Sequence, residues 1–182
     1  MSIFVICGSP WSRTEALFQS LETQGVGRAI AAPGPRGLSI ESLLARLVPE
    51  GPQKGKDFLS TQPGKVYEQA AGDILIANWE QKHWGWADAR NVWILDFLKS
   101  LDQNIRFLLV HESPERAIAR AILETDQDLD LERVVASWFE HEKAMLRFHL
   151  RNAEQSLLVD AEDCFKRPNN FMGQLESLPR AQ

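Results

Sequence analysis

The chain has 182 residues, 44% of them hydrophobic and 25% charged, the balance of a globular protein rather than a fibrous or disordered one. A formal net charge of −5 excludes a broad basic surface for nucleic acid or anionic membrane, while leaving room for a local basic pocket. The two cysteines, Cys7 and Cys164, exclude a disulfide framework and a thiolate metal cluster, and read as core thiols of a reducing cytoplasm.

Ile3-Phe4-Val5-Ile6-Cys7 is apolar and β-branched, the pattern of a buried parallel strand. It stops at Gly8-Ser9-Pro10, and Thr14–Thr23 carries Ala16, Leu17, Phe18 and Leu21 at helical spacing before Gly25. Residues 31–37 are a Gly/Pro loop, after which Ser39 caps a short helix with Ile40, Leu43, Leu44 and Leu47 on one face. The polar stretch 49–64 reads as a mobile surface connection. Asp73–Asn78 reads as a second buried strand, followed by a segment rich in tryptophan and a helix over Asn91–Leu101. Ile105–Val110 is a third strand, and Pro114 opens the next helix at a position that suits proline. Leu131–Arg151 is a long amphipathic helix, Ser156–Val159 a fourth strand, and a short helix follows.

Strands that alternate with helices predict a single α/β domain, with a mostly parallel sheet covered on both faces. No apolar run approaches the length of a membrane span, and the N-terminus lacks the basic segment of a signal peptide. In such sheets a ligand sits beyond the C-terminal strand ends. The Gly8 loop, the Asn78–Arg90 segment, the His111–Pro114 turn and the Asp160–Asp163 turn are expected to meet there.

A strand that turns through small residues into a helix N-terminus presents backbone N–H groups and a favourable dipole to an anion. Gly8 permits the tight turn, Ser9 and Ser12 offer hydroxyls, Thr14 caps the helix or reaches a phosphate, and Arg13 supplies a forked cation. The loop is not a Walker A sequence: it lacks GK[ST], and Cys7 stands where the first glycine belongs. A nucleotide-binding kinase is weakened accordingly, and a plain strand-to-helix turn without ligand remains the bland alternative. Asp126, Asp128, Asp130 and Glu132 lack the glycine and terminal glutamate of a calcium loop, so no metal site is expected.

GSPWSRTE, Gly8–Glu15, resembles the 5′-phosphosulfate loop of sulfotransferases, G-x-P-[RK]-S-G-T-T. Three later segments keep the family's order. WGWADAR, Trp84–Arg90, is similar to W-G-W-K-D-P-R; Arg106–Ile122 is similar to the R-F-I-x-x-x-R-[DN]-P segment; and Leu157–Asp163 is similar to V-x-Y-E-D-L. The resemblance implies a three-layer P-loop fold and transfer of a sulfuryl group from 3′-phosphoadenosine-5′-phosphosulfate (PAPS) to a carbohydrate or other small hydroxyl acceptor. It also implies that Gly8, Ser9, Pro10, Trp11, Ser12, Arg13, Thr14 and Arg120 bind the cofactor.

The departures from the family pattern fall on ligand contacts. Trp11 replaces the loop's basic residue and Arg13 its glycine. Alignment on Pro114 puts Glu112 where the 3′-phosphate arginine belongs and Arg120 where the serine belongs. A carboxylate facing a phosphate is unfavourable, unless Arg120 pairs with it or itself reaches the phosphate. The family's glycine-rich basic closing loop has no counterpart up to Gln182. A non-catalytic relative that has lost the PAPS site is therefore the rival reading.

Sulfuryl transfer needs cations around the transferred oxygens and a base for the acceptor proton. Arg13 is the expected cation, and His83 and Glu80 the expected bases, assuming that both follow the second strand. His111 reads as a satisfied histidine, and His141 and His149 as residues of a helix surface. Of Trp79, Trp84, Trp86 and Trp11, a possible aromatic wall, Trp11 and Trp84 are the expected ligand contacts, while Trp86 and Trp93 pack the core.

Overall fold

The computed structural model describes residues 1–34, 37–48, 63–124, 129–166, 174, 177 and 178. The first strand, β1, is Ser2–Gly8, followed by α1 (Thr14–Glu22) and a two-residue edge strand β2 (Gly27–Arg28). Helices α2 (Ile40–Leu47) and α3 (Lys65–Ala77) lead to β3 (His83–Ala87). A 3₁₀ helix (Ala89–Ile94) runs into α4 (Leu95–Leu101), and β4 (Ile105–His111) follows. The remaining elements are α5 (Pro114–Glu124), α6 (Leu131–Arg151), β5 (Ser156–Asp160) and α7 (Ala161–Lys166).

The five strands form one sheet in the order β2-β3-β1-β4-β5, and every pairing is parallel. Alternation of side chains along β1 divides the core in two. Ile3, Val5 and Cys7 pack with Trp84, Trp86, Ile105, Phe107 and Leu109 against α2, α3, α4 and α6. Phe4 and Ile6 pack with Leu108, Val110 and Val159 against α1 and α7. The result is a three-layer α/β/α sandwich, as the alternation of strands and helices predicts. The chain leaves β1 toward β2 and leaves β4 toward β5, so the direction of winding reverses between β1 and β4. A ligand crevice belongs at their C-terminal ends.

Three expectations change. Asp73–Asn78 is not a strand but the end of α3, with Ile76 73% exposed. A short apolar run is ambiguous between the two forms; here Tyr67, Ala70, Ala71 and Ile74 extend it backward at helical spacing, and Ala71 and Ile74 are buried. The second long strand is instead His83–Ala87, within the tryptophan-rich segment. A Cβ on Gly85 would lie 2.0 Å from the Phe4 carbonyl oxygen. Close backbone approach, rather than flexibility, explains that glycine. The Asn91–Leu101 helix begins earlier, at Ala89, as a 3₁₀ turn capped by the Asp88 carboxylate. Residues 49–62 of the polar connection lie outside the described residues, as do Asp126 and Asp128.

Candidate functional site

At the end of β1 only glycine fits. A Cβ on Gly8 would sit 2.1 Å from Ser12 Oγ and 2.7 Å from the Val110 carbonyl of β4. The loop then closes on itself: Ser12 Oγ donates to Ser9 O at 2.7 Å, and Ser12 N–H to the same oxygen at 3.0 Å. Ser12 is fully buried and holds the loop's shape. Ser9 is 1% exposed, and its hydroxyl has no hydrogen-bond partner among the described residues. Pro10 is exposed and Trp11 half-buried.

Arg13, the residue before α1, has φ 56° and ψ 31°, in the left-handed region. Its guanidinium carbon lies 4.5 Å from the centroid of the Phe165 ring on α7. No side chain caps α1, which begins at Thr14. The loop therefore combines a tight glycine turn, a left-handed residue and an uncapped helix start, the backbone form of an anion nest.

The end of β4 carries charge. Glu112 is fully buried, with Oε2 2.6 Å from Arg120 Nη1 and Oε1 3.5 Å from Arg116 Nη1. Arg120 Nη1 also donates to the Trp11 carbonyl at 2.9 Å, so α5 braces the loop through one guanidinium. Arg116 reaches Asp160 at 3.4 Å and pairs with Glu162, tying α5 to the end of β5.

The Glu112 backbone is held as firmly. Its N–H donates to Glu142 Oε1 at 3.3 Å, and its carbonyl accepts from Trp138 Nε1 at 2.7 Å. His111 Nδ1 lies 2.8 Å from Glu142 Oε2; since a carboxylate accepts, that nitrogen carries the proton. Burial raises the Glu142 carboxyl above the ordinary carboxylate range, while the contacts with His111 and the Glu112 N–H oppose the rise. Trp138 and Glu142 are not marked as site residues by any local motif, although their four-residue spacing on one long helix puts them on a common face. Cys7 is inert, its thiol pushed upward by burial and by Asp88, and Cys164 is pushed up to about 11 by burial and by Asp160 and Asp163.

The structure brings Gly8, Ser9, Pro10, Trp11, Ser12, Arg13, Thr14 and Arg120 to one edge of the sheet. It does not bring His83 and Glu80 there. His83 opens β3 and pairs in register with Ser2, at the far end of β1 from Gly8. Six residues of strand, roughly 20 Å, separate the two ends. Glu80 is exposed in the turn just before it. The expectation followed from placing the second strand ahead of these residues; β3 in fact begins with His83. Asp88, at the other end of β3, takes the place beside the loop: its N–H donates to Ile6 O at 3.1 Å, and its carboxylate holds Arg90 at 2.6 Å.

Trp84 is likewise no ligand contact. It is fully buried, 5.9 Å from Trp86, and Trp79 stands 74% exposed near the opposite edge. Of the tryptophans proposed for a wall, Trp11 alone adjoins the loop. His141 is 3% exposed, not a surface residue: Nδ1 donates to the Ser137 carbonyl at 2.7 Å, and its ring meets Trp93 edge-on at 4.6 Å. His149 is half-buried on Ser156 Oγ at 2.8 Å.

No protein-family model and no curated protein matches this sequence. Its fold is similar to that of a sulfotransferase from Alicyclobacillus acidocaldarius, with a TM-score of 0.58 and 14% identity over 98% of this chain and 80% of the other. It is also similar to a gluconokinase from Sinorhizobium meliloti 1021, with a TM-score of 0.55 and 11% identity over 96% of this chain and 93% of the other. A Mycobacterium tuberculosis H37Rv sulfotransferase gives a TM-score of 0.56 and 14% identity over 96% of this chain and 66% of its own. At these identities the likeness establishes the architecture, that of the P-loop-like sulfotransferases and kinases.

Proposed function

We propose that this chain binds a single phosphate or sulfate group at the loop Gly8–Thr14, and that its ligand carries no 3′-phosphate. What supports the first half is the loop itself: the glycine turn, the left-handed Arg13, the uncapped α1 and the buried hydroxyl of Ser9, without a partner among the described residues. One observation carries the second half. Glu112 is fully buried against Arg120, at the two positions that the sulfotransferase resemblance assigns to the 3′-phosphate contacts. An internal carboxylate there already uses the cation that a phosphate would need. A second dianion beside it would meet like charge in a poorly solvated place, which costs several kcal/mol.

Phosphoryl transfer is disfavoured because the loop from Gly8 to Glu15 holds no lysine. Sulfuryl transfer from PAPS to a carbohydrate or small-molecule hydroxyl is the second reading. One feature favours it: the 44%-exposed His111 side chain, held by the Glu142 carboxylate at the sheet edge that carries the loop, has the form of a general base.

Calorimetric titration with two ligands separates the readings. Adenosine 5′-monophosphate is expected to bind at least about tenfold more tightly than adenosine 3′,5′-bisphosphate, the equivalent of roughly 1.4 kcal/mol of repulsion. In Glu112→Gln, which keeps the shape and frees Arg120, the gap is expected to close or reverse. Tighter binding of the bisphosphate by the unmodified chain would overturn the proposal and support PAPS. Absence of binding by either ligand would remove the anion site altogether.

A further inference from the structure

Helix α6 buries one face against the sheet and presents a second apolar face outward. Leu131, Val135, Phe139, Leu146 and Leu150 are 47%, 40%, 52%, 48% and 74% exposed. At 3.6 residues per turn they fall within about 100° of arc, a stripe of two apolar patches, one of Leu131, Val135 and Phe139 and one of Leu146 and Leu150, with Glu142 between them. The first patch borders a shallow depression of about 530 Å³ lined by Leu131, Val135, Trp138 and Phe139, with Glu132 at its rim.

The stripe is symmetric about its own middle. Leu131 and Leu150 are equally distant from the point between Glu140 and His141, and so are Val135 and Leu146; Phe139 lies beside that point. The charges along the stripe are arranged in the opposite sense. Glu132 flanks it in the first turn, while Lys143, whose ammonium lies 5.7 Å from the Phe139 ring centroid, and Arg147 flank it in the second half. A two-fold axis through the midpoint would place an antiparallel copy with Leu150 against Leu131, Leu146 against Val135, and Arg147 near Glu132. Leu131, Val135, Leu146 and Leu150 then each meet an apolar residue, Phe139 lies opposite Glu142 of the second copy, and the opposite charges of Glu132 and Arg147 come near each other.

We infer that the chain forms an isologous homodimer through the antiparallel pairing of α6. Leu146 and Leu150 of one copy fill the depression of the other. The same helix holds the candidate site from behind, since Trp138 and Glu142 fix the Glu112 backbone. The dimer does not depend on what the loop binds.

Sedimentation equilibrium of the full chain is expected to give twice the chain mass of 20.6 kDa at micromolar concentration. Val135→Asp is expected to raise the dissociation constant by about thirtyfold or more, the effect of losing a central contact, with unchanged far-ultraviolet circular dichroism. A purely monomeric protein, or a Val135→Asp variant that dimerises as before, overturns the proposal. Orientation is tested by cysteine pairs. Within one helix, positions 131 and 150 are roughly 28 Å apart, too far for an internal disulfide, and Cys7 and Cys164 are buried. The double variant Leu131→Cys, Leu150→Cys is expected to give covalent dimers on oxidation, and neither single variant is. Cross-linking by Leu150→Cys alone would overturn the antiparallel arrangement. A monomer whose stripe is covered by another part of the same chain, or by a different protein, would show none of these effects and would equally overturn it.

Discussion

Arg13 holds a backbone conformation that L side chains adopt at a cost of about 1–2 kcal/mol. The sulfotransferase loop pattern that this segment resembles has glycine at this position, the residue that suits such a backbone form. What offsets the strain is the guanidinium above Phe165, a contact worth roughly 0.5–1 kcal/mol at an exposed site. The same contact turns the loop's one basic side chain toward α7. Two substitutions isolate the strain. Arg13→Ala loses the ring contact and keeps the strained conformation, whereas Arg13→Gly loses the contact and relieves the strain. Chemical denaturation is expected to find the glycine variant more stable by about 1 kcal/mol. Ordinary helical backbone at residue 13 would give the reverse order, since alanine exceeds glycine there by a similar amount.

Helix α3 packs on the sheet through Ala71 and Ile74, and the Asn78 side chain fastens its end by hydrogen bonds. Asn78 is fully buried: Nδ2 donates to the Ile30 and Ile74 carbonyls at 2.8 Å each, and Oδ1 accepts from the Ile30 N–H at 2.8 Å and from Gln81 Nε2 at 2.7 Å. This fastens the helix end to the chain that leaves β2, the short edge strand. Replacement by leucine of similar size removes four hydrogen bonds, two to Ile30 and one each to Ile74 and Gln81, each worth about 0.5–1.5 kcal/mol net. Asn78→Leu is expected to lower stability by about 2–4 kcal/mol on that basis, with early loss of hydrogen-exchange protection at the Ile30 amide. Protection retained at Ile30 would mean that α3 is fastened elsewhere.

At the scale of elements the sequence was legible where its pattern was local. Ile3–Cys7, Ile105–Val110 and Ser156–Val159 are β-rich runs between turns, and Leu131–Arg151 has an unmistakable helical period; all four are where they were expected. The Asp73–Asn78 run and the strand His83–Ala87 were not legible. An isolated apolar run does not declare its period. The glycine of HWGWA imitates a turn unless the Phe4 carbonyl beside it is known. That one exchange of strand for helix sent His83 and Glu80 to the wrong edge of the sheet.

For the molecule as a whole, acid is expected to act through His141. Burial lowers its pKa from 6.5 to about 4, opposed by the Ser137 carbonyl and by Glu140. Above pH 6.5 the ring is neutral in both the folded and the unfolded chain and stability is unaffected. As pH falls from 6.5 toward 4 the unfolded chain takes up the proton first, so stability declines by an amount on the order of 3 kcal/mol. The melting temperature of the native chain, compared with that of His141→Gln, is expected to fall across this interval only in the native chain. Parallel curves for the two proteins would show that His141 titrates normally.

The α/β architecture, the strand–loop–helix around Gly8 and the long amphipathic α6 all follow from neighbouring residues, because turn chemistry and periodicity act over a few positions. Which edge of the sheet His83 occupies, and what neutralises Glu112, depend on register and crossover. Glu112, Arg120 and the Trp11 carbonyl converge across more than a hundred residues of chain. The pairing of Glu112 with Arg120 appeared in the sequence as one of two options for Arg120. Only the packing of α5 against the end of β4 chose between them, since burial of a carboxylate is tolerated where a cation is already in place.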